Sequence, residues 1–91
     1  MPASEPAVCD DQVTGPGGAM TEEVGVITGD LTIRTTRRAD NRAAIAIQYT
    51  GADEWYTLTG SPVALADGGL EEYHHRVLDA VEAGGEAVAS V

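Results

Sequence analysis

The chain has 91 residues, 43% of them apolar, and its fifteen acidic and five basic residues give a formal net charge of −10. This length fits one small domain, and the apolar fraction is ordinary for a globular chain, which excludes wholesale disorder. The acidic balance repels nucleic acid and anionic membranes, and no apolar run approaches membrane-spanning length. The first residues lack the pattern of a secretory signal, so we expect a cytoplasmic location and no membrane partner.

Residues 1–20 hold three of the four prolines and a Gly-Pro-Gly-Gly run, and they show no apolar periodicity. Such punctuation is typical of a flexible segment. The segment contains Cys9, the only cysteine of the chain, so no intrachain disulfide can form. The predicted organisation is a flexible N-terminal tail at 1–20, a single α+β domain at 21–85 and a short C-terminal tail at 86–91.

Four strands are predicted, at residues 24–28, 31–36, 44–49 and 55–59. The second and third strands alternate apolar and polar side chains, which gives each of them one apolar face. Gly29 and Asp30 lie between the first two strands, and a two-residue connection containing Gly is a strong hairpin signal. Short turns between all four strands predict an antiparallel meander in chain order.

One helix is predicted from about residue 70 to residue 83. Acidic residues occupy its first turn, and two glycines follow its last residue. Its apolar stripe, with members three and four residues apart, consists of Leu70, Tyr73, Val77, Ala80 and Val81. The predicted fold class is therefore α+β: a four-stranded antiparallel β-meander with one C-terminal α-helix packed on its apolar face.

The second and third strands and their turn carry four of the five basic residues. Arg34 lies on the polar face of the second strand and Gln48 on that of the third, while Arg37, Arg38 and Arg42 surround the turn. If the helix covers the apolar face, these side chains remain exposed on the other side. Arginine and glutamine there are candidates for binding a protein partner or, through phosphates and base edges, a nucleic acid.

The helix carries the densest group of ionisable side chains. Glu71, His75 and Asp79 lie four residues apart on one side of it, a spacing that can place metal ligands together, but this side faces water opposite the apolar stripe. A solvated, ion-paired face is the simpler interpretation. His74 lies at the edge of the stripe and is expected to be half-buried and bonded to a sheet carbonyl. With no nucleophile, phosphate-binding or metal-ligand motif in the sequence, we expect no catalysis, no metal and no cofactor.

The function expected from these features is that of a small acidic non-catalytic accessory or regulatory protein that acts through protein–protein contacts. About fifteen large apolar side chains are available, each contributing roughly 1.5–3 kcal/mol when buried, and the loss of chain entropy leaves the monomer only marginally stable. We therefore expect the chain to form a homodimer and also to bind an unknown protein partner. The alternative is a nucleic-acid-binding module that uses the arginine-bearing face and its hairpin turn. The net charge of −10 disfavours that alternative.

Overall fold

The computed structural model describes residues 8–65 and 69–90 of the chain. Its elements are β1 (Val8–Thr21), β2 (Gly25–Arg37), β3 (Arg42–Tyr49), β4 (Tyr56–Thr57), β5 (Val63–Ala64) and α1 (Gly69–Ala83). Strands β1 to β4 form one antiparallel sheet in chain order, and β5 pairs with β3. Helix α1 packs on the sheet, mainly against β1. The predicted fold class, an antiparallel meander with one C-terminal helix, is confirmed.

The prediction of a flexible tail at residues 1–20 is wrong for residues 8–20, which form most of β1. This strand pairs with β2 along its length, with a register shift between Gly15 and Ala19. Val13 points into the core, but at Gly15 the helix comes so close that a Cβ atom would lie 2.7 Å from Cγ1 of Val81. Because the bulge and the close approach require small residues, the strand carries little apolar periodicity. Residues 1–7 lie outside the described part of the chain.

The predicted turn at Gly29 and Asp30 is also wrong, because the strands predicted at residues 24–28 and 31–36 are one continuous strand, β2. Gly29 has a φ of 104°, as a hairpin turn would require, yet it pairs with Gly15 of β1. The positive φ of Gly29 therefore belongs to an irregular position in the pairing of β2 with β1, and the chain does not reverse direction there. The sheet still has four strands in sequence order because β1 takes the place of the strand predicted at residues 24–28.

The segment after the helix, predicted as a short tail at residues 86–91, is bonded to the sheet through residue 89. Ala87 forms an isolated parallel bridge to β1, and its carbonyl accepts the N–H of Met20 at 2.9 Å. The N–H of Ala89 donates to the carbonyl of Thr59 at 2.8 Å. These hydrogen bonds hold residues 86–89 against the sheet without a helix or strand of their own.

The end of β1 also meets the segment that follows β4. The N–H of Thr59 donates to the carbonyl of Met20 at 2.9 Å, and Thr21 forms an isolated antiparallel bridge to Leu58, so β1 touches this segment at one end of the sheet. Gly84 ends the helix with a φ of 86°. Gly17 of β1 lies against it, and a Cβ atom on Gly17 would lie 2.3 Å from the backbone nitrogen of Gly85.

The core lies between the sheet and α1 and reaches from Val13 to Ala89. The predicted alternation of β2 and β3 is present: Ile33 and Ile47, for example, are fully buried. The helix buries most of its predicted stripe, together with one histidine. The apolar core residues are Val13, Ala19, Ile27, Leu31, Ile33, Ala43, Ile45, Ile47, Leu58, Leu70, Tyr73, Val77, Val81, Ala87 and Ala89.

Candidate interaction surface

The structure distributes the five predicted site residues over two places. Arg34 and Gln48 lie on the outer face of the sheet, which α1 does not cover, and the other three arginines lie at the β2–β3 turn. The side-chain amide nitrogen of Gln48 donates to the carbonyl of Ala52 at 2.8 Å and holds the loop after β3.

Arg34 is engaged on two sides by residues of the same chain. Its Nε and Nη2 atoms donate to the two carboxylate oxygens of Asp10 at 2.8 and 3.1 Å, and its guanidinium lies 4.5 Å from the ring centre of Trp55. The hydrogen bond from Arg34 holds the pKa of Asp10 below its ordinary value, and the same bond raises the pKa of Arg34. Asp10 belongs to β1, the strand that the sequence pattern did not reveal.

The β2–β3 turn is built by Asn41, which has a φ of 61°, a conformation that asparagine tolerates. The N–H of Asn41 donates to the carbonyl of Arg38 at 3.0 Å, and the N–H of Arg38 donates to the carbonyl of Arg42 at 2.7 Å. The side chain of Arg37 donates to Oδ1 of Asn41 at 2.7 Å, and Arg42 lies 3.8 Å from the carboxylate of Asp40. Two of the three arginines therefore have partners within the turn itself.

The outward side of β1 is a feature that the sequence did not predict. The N–H of Thr50 donates to the carbonyl of Asp30, so the even-numbered residues of β2 point their backbone groups at β3 and the odd-numbered ones at β1. Through the register Asp11↔Ile33, the odd-numbered residues of β1 bond to β2. The even-numbered residues therefore direct their N–H and C=O groups away from the sheet.

We call these outward groups of Val8, Asp10, Gln12 and Thr14 the open edge. Within residues 8–65 and 69–90, none of them has a backbone hydrogen bond on this side. Two open grooves run beside the open edge and share Gln12. One, of about 400 Å³, is lined by Gln12, Val13, Thr14, Asp30, Thr50 and Glu82. The other, of about 480 Å³, is lined by Asp10, Asp11, Gln12 and Thr32.

His74 joins helix α1 to strands β1 and β2 beneath the open edge. It is 1% exposed, and its Nδ1 lies 2.7 Å from the hydroxyl of Thr35 and its Nε2 3.0 Å from Oδ2 of Asp11. The expected half-buried histidine bonded to a sheet carbonyl is thus corrected: both partners are side chains, because Thr35 and Asp11 face inward at the place where α1 crosses. Thr35 is fully buried, so this group of three links elements and offers no accessible hydroxyl.

The charged residues of α1 face water. Glu71, His75 and Asp79 are exposed, and Glu72 lies 4.0 Å from Arg76. Among the residues that the structure describes, no group of three or more His, Cys, Asp or Glu side chains is arranged to hold a metal ion. Within the same residues, no helix has both the length and the apolar character needed to cross a membrane.

Comparison with protein-family models, with curated proteins and with solved structures found no match.

Proposed function

We propose that this chain is a small acidic non-catalytic accessory or regulatory protein that works by binding another protein. The observation that carries the proposal is the open edge of β1. Unpaired N–H and C=O groups at every second residue are a template for an added strand, and proteins with such edges use them to bind extended segments of partners.

The open edge is protected against unselective pairing. Asp10 and Asp11 place charges on both faces of the strand, and the inward-facing Asp11 is held by His74. Charged residues of this kind on an edge strand prevent sheet-to-sheet aggregation, so an edge that carries them remains available for a chosen partner.

The state of the arginines favours protein binding over the alternative of nucleic-acid binding. Arg34 is paired with Asp10, Arg42 lies near Asp40, and Arg37 is bonded to Asn41. Phosphate affinity comes from several basic side chains that release counterions together, and a basic side chain already paired with a carboxylate contributes little.

A homodimer is part of the proposal. Fifteen apolar residues are buried within residues 8–65 and 69–90, and eleven of them are larger than alanine, which is a small core for this part of the chain. Light scattering at micromolar concentration should report twice the chain mass, and one chain mass throughout a dilution series would contradict the dimer.

Capture from an extract of the native host tests the protein-binding role. Gln12→Pro removes one outward N–H and obstructs an added strand, while Pro is tolerated at an edge-facing position. Gln12→Ala removes the same side chain and keeps the N–H. We expect the wild type and Gln12→Ala to retain the same protein after nuclease treatment and Gln12→Pro to lose it. Equal capture by all three, or retention of nucleic acid alone, would contradict the proposal.

A further inference from the structure

The occupant of the open edge can be specified by the charges around it. We infer that the open edge binds an extended basic segment of another protein, with Lys or Arg at alternate positions, as an additional strand beside β1. This inference rests on the proposed function and adds to it the chemical class of the partner.

Backbone geometry sets the length and the spacing of that segment. The open edge extends from Val8 to Thr14, which at about 3.4 Å per residue is roughly 20 Å of strand. A strand laid along it exchanges hydrogen bonds with Asp10, Gln12 and Thr14, and its side chains alternate between the outer face of the sheet and the side of the helix. Residues with the same chemistry must therefore recur at every second position of the partner.

Every charged residue that lines the two grooves is acidic: Asp10, Asp11, Asp30 and Glu82. On the helix side, Asp11 is 53% exposed and gives one oxygen to His74, while Glu82 is exposed. Cationic side chains on this face of an added strand would lie beside these two carboxylates. On the outer face, Asp10 is already neutralised by Arg34, so the helix side provides the stronger selection for positive charge.

A second copy of β1 fits this edge poorly. Antiparallel pairing of two identical edges would direct the carboxylates of Asp10, Asp11 and Glu82 toward those of the other copy, and like charges facing each other across strands are destabilising. Each chain also brings a net charge of −10. The interaction with the facing carboxylates and the interaction with the net charge both become favourable when the incoming strand is basic. The observations therefore favour a basic partner over self-pairing.

The test uses the full chain and fluorescein-labelled peptides of about eight residues, enough to span the open edge from Val8 to Thr14. One peptide alternates lysine with valine, and its counterpart alternates glutamate with valine. We expect the lysine peptide to bind at least about tenfold more tightly than the glutamate peptide in fluorescence anisotropy. The affinity of the lysine peptide should fall several-fold between about 0.05 and 0.5 M NaCl, because salt screens the attraction between its lysines and the carboxylates.

Matched variants separate backbone pairing from charge. Gln12→Pro should weaken binding of the lysine peptide at least about tenfold, and Gln12→Ala should leave it unchanged. The double variant Asp11→Asn with Glu82→Gln should also weaken it, since Asn keeps an acceptor for His74 but carries no charge. The double variant Glu22→Gln with Asp53→Asn removes the same charge away from the grooves and should bind like the wild type.

Three results would overturn the inference. If the two peptides bind equally, or neither binds, the edge does not select basic segments. If Asp11→Asn with Glu82→Gln binds like the wild type, these carboxylates are not the selecting groups. If Gln12→Pro halves the mass found by light scattering, a second copy occupies the edge.

The proposed function fails separately, through capture experiments that do not depend on peptide charge. If Gln12→Pro does not fold, the two charge variants and a lysine peptide methylated at alternate backbone nitrogens decide the inference instead. That methylated peptide keeps its charge but cannot donate backbone hydrogen bonds to the open edge. If it binds as tightly as the unmethylated peptide, the inference is also overturned.

Discussion

The two halves of β1 belong to one strand and differ in what lies beyond them. From Gly17 to Thr21 the side away from β2 is covered: Met20 bonds to Ala87 and Thr59, and the glycines of β1 contact the glycines after α1. From Val8 to Thr14 the corresponding backbone groups have no partner among the described residues. We call these the covered half and the open half of β1.

Within residues 8–65 and 69–90, backbone hydrogen bonds cover the sheet edge along one half of β1 and leave the other half open. The bulge between Gly15 and Ala19 separates the halves and redirects the strand toward the end of the helix. Segment 86–89, which covers the second half, stops short of the first. An open half that survives beside a closed one on the same strand is the physical basis for treating it as a binding edge.

The largest expected effect lies in the covered half. Gly17→Ala places a Cβ atom 2.3 Å from the backbone of Gly85, and backbone cannot yield as a flexible side chain does. We expect a loss of about 3 kcal/mol of unfolding free energy, measured in urea. Gly29→Ala is the control: it has open space but a φ of 104°, and should cost only roughly 1–2 kcal/mol. An equal or smaller loss for Gly17→Ala would show that the contact is not tight.

Tyr73 connects pH to the covered half. Its hydroxyl donates to the carbonyl of Ala89 at 2.7 Å, and burial raises its pKa to about 12. The unfolded chain loses this proton near pH 10, so the free energy of unfolding should fall as pH rises from about 10 to 12, by about 3 kcal/mol at most. Below pH 10 this contribution is fully present.

Chemical denaturation at pH 8 and near pH 11.5 measures the Tyr73 effect. Tyr73→Phe should be less stable at pH 8, by about 1 kcal/mol for the lost hydrogen bond, and should show a smaller alkaline loss. Tyr56→Phe is the control, because the hydrogen bond to Glu54 also raises the pKa of that half-buried tyrosine. An alkaline loss that persists in Tyr73→Phe would assign the effect to another group.

The apolar periodicity of the sequence was sufficient to predict the strands and the helix that bury one apolar face. The strands around Ile33 and Ile47 and the helix around Val77 are where alternation and helical spacing put them. β1 was not predicted because two of its inward positions lack an apolar side chain. Asp11 is there the partner of His74, and Gly15 lies where the helix comes close. Only the structure shows that a glycine run can mark tight packing as well as flexibility.

The candidate surface could be predicted only in part, for the same reason. The exposed arginines are visible in the sequence, but their acidic partner Asp10 comes from the strand that was missed. The open edge depends on which residues bond to β2, and that register follows from tertiary pairing and not from composition. The alternation of Asp10, Gln12 and Thr14 with inward residues is the one local signal that was available.

A smaller effect is expected where α1 is attached beneath the open half. Thr35→Val keeps the shape of the buried side chain but removes the hydroxyl from Nδ1 of His74, 2.7 Å away. We expect a loss of about 1.5 kcal/mol, because a buried imidazole nitrogen is left without a partner. Replacing Thr28, an exposed threonine of the same strand, by valine is the control and should change little. No loss in Thr35→Val would mean that His74 finds another partner.

The smallest effect is expected on the outer face of the open half, at Arg34. The ion pair with Asp10 is 44% and 45% exposed on its two side chains, so solvent weakens it. Arg34→Ala should therefore move the thermal midpoint less than Gly17→Ala, Tyr73→Phe or Thr35→Val. Its spectroscopic effect should be clear, because Trp55, the only tryptophan, loses the guanidinium that lies 4.5 Å from its ring centre. The emission of Trp55 therefore reports on this place selectively.

The pH dependence of that small effect identifies its cause. Hydrogen bonding to Arg34 lowers the pKa of Asp10 in the folded chain, so the pair stabilises the fold above the unfolded pKa near 4 and the contribution is lost as pH falls through the lower folded value. The difference in thermal midpoint between the wild type and Arg34→Ala should therefore shrink below about pH 4 and in high salt. Trp55→Leu keeps the ion pair and should retain the acid dependence. A difference that stays constant in acid would assign the stabilisation to the contact between Arg34 and Trp55, and the open half would then be held on its outer face by ring packing and not by charge.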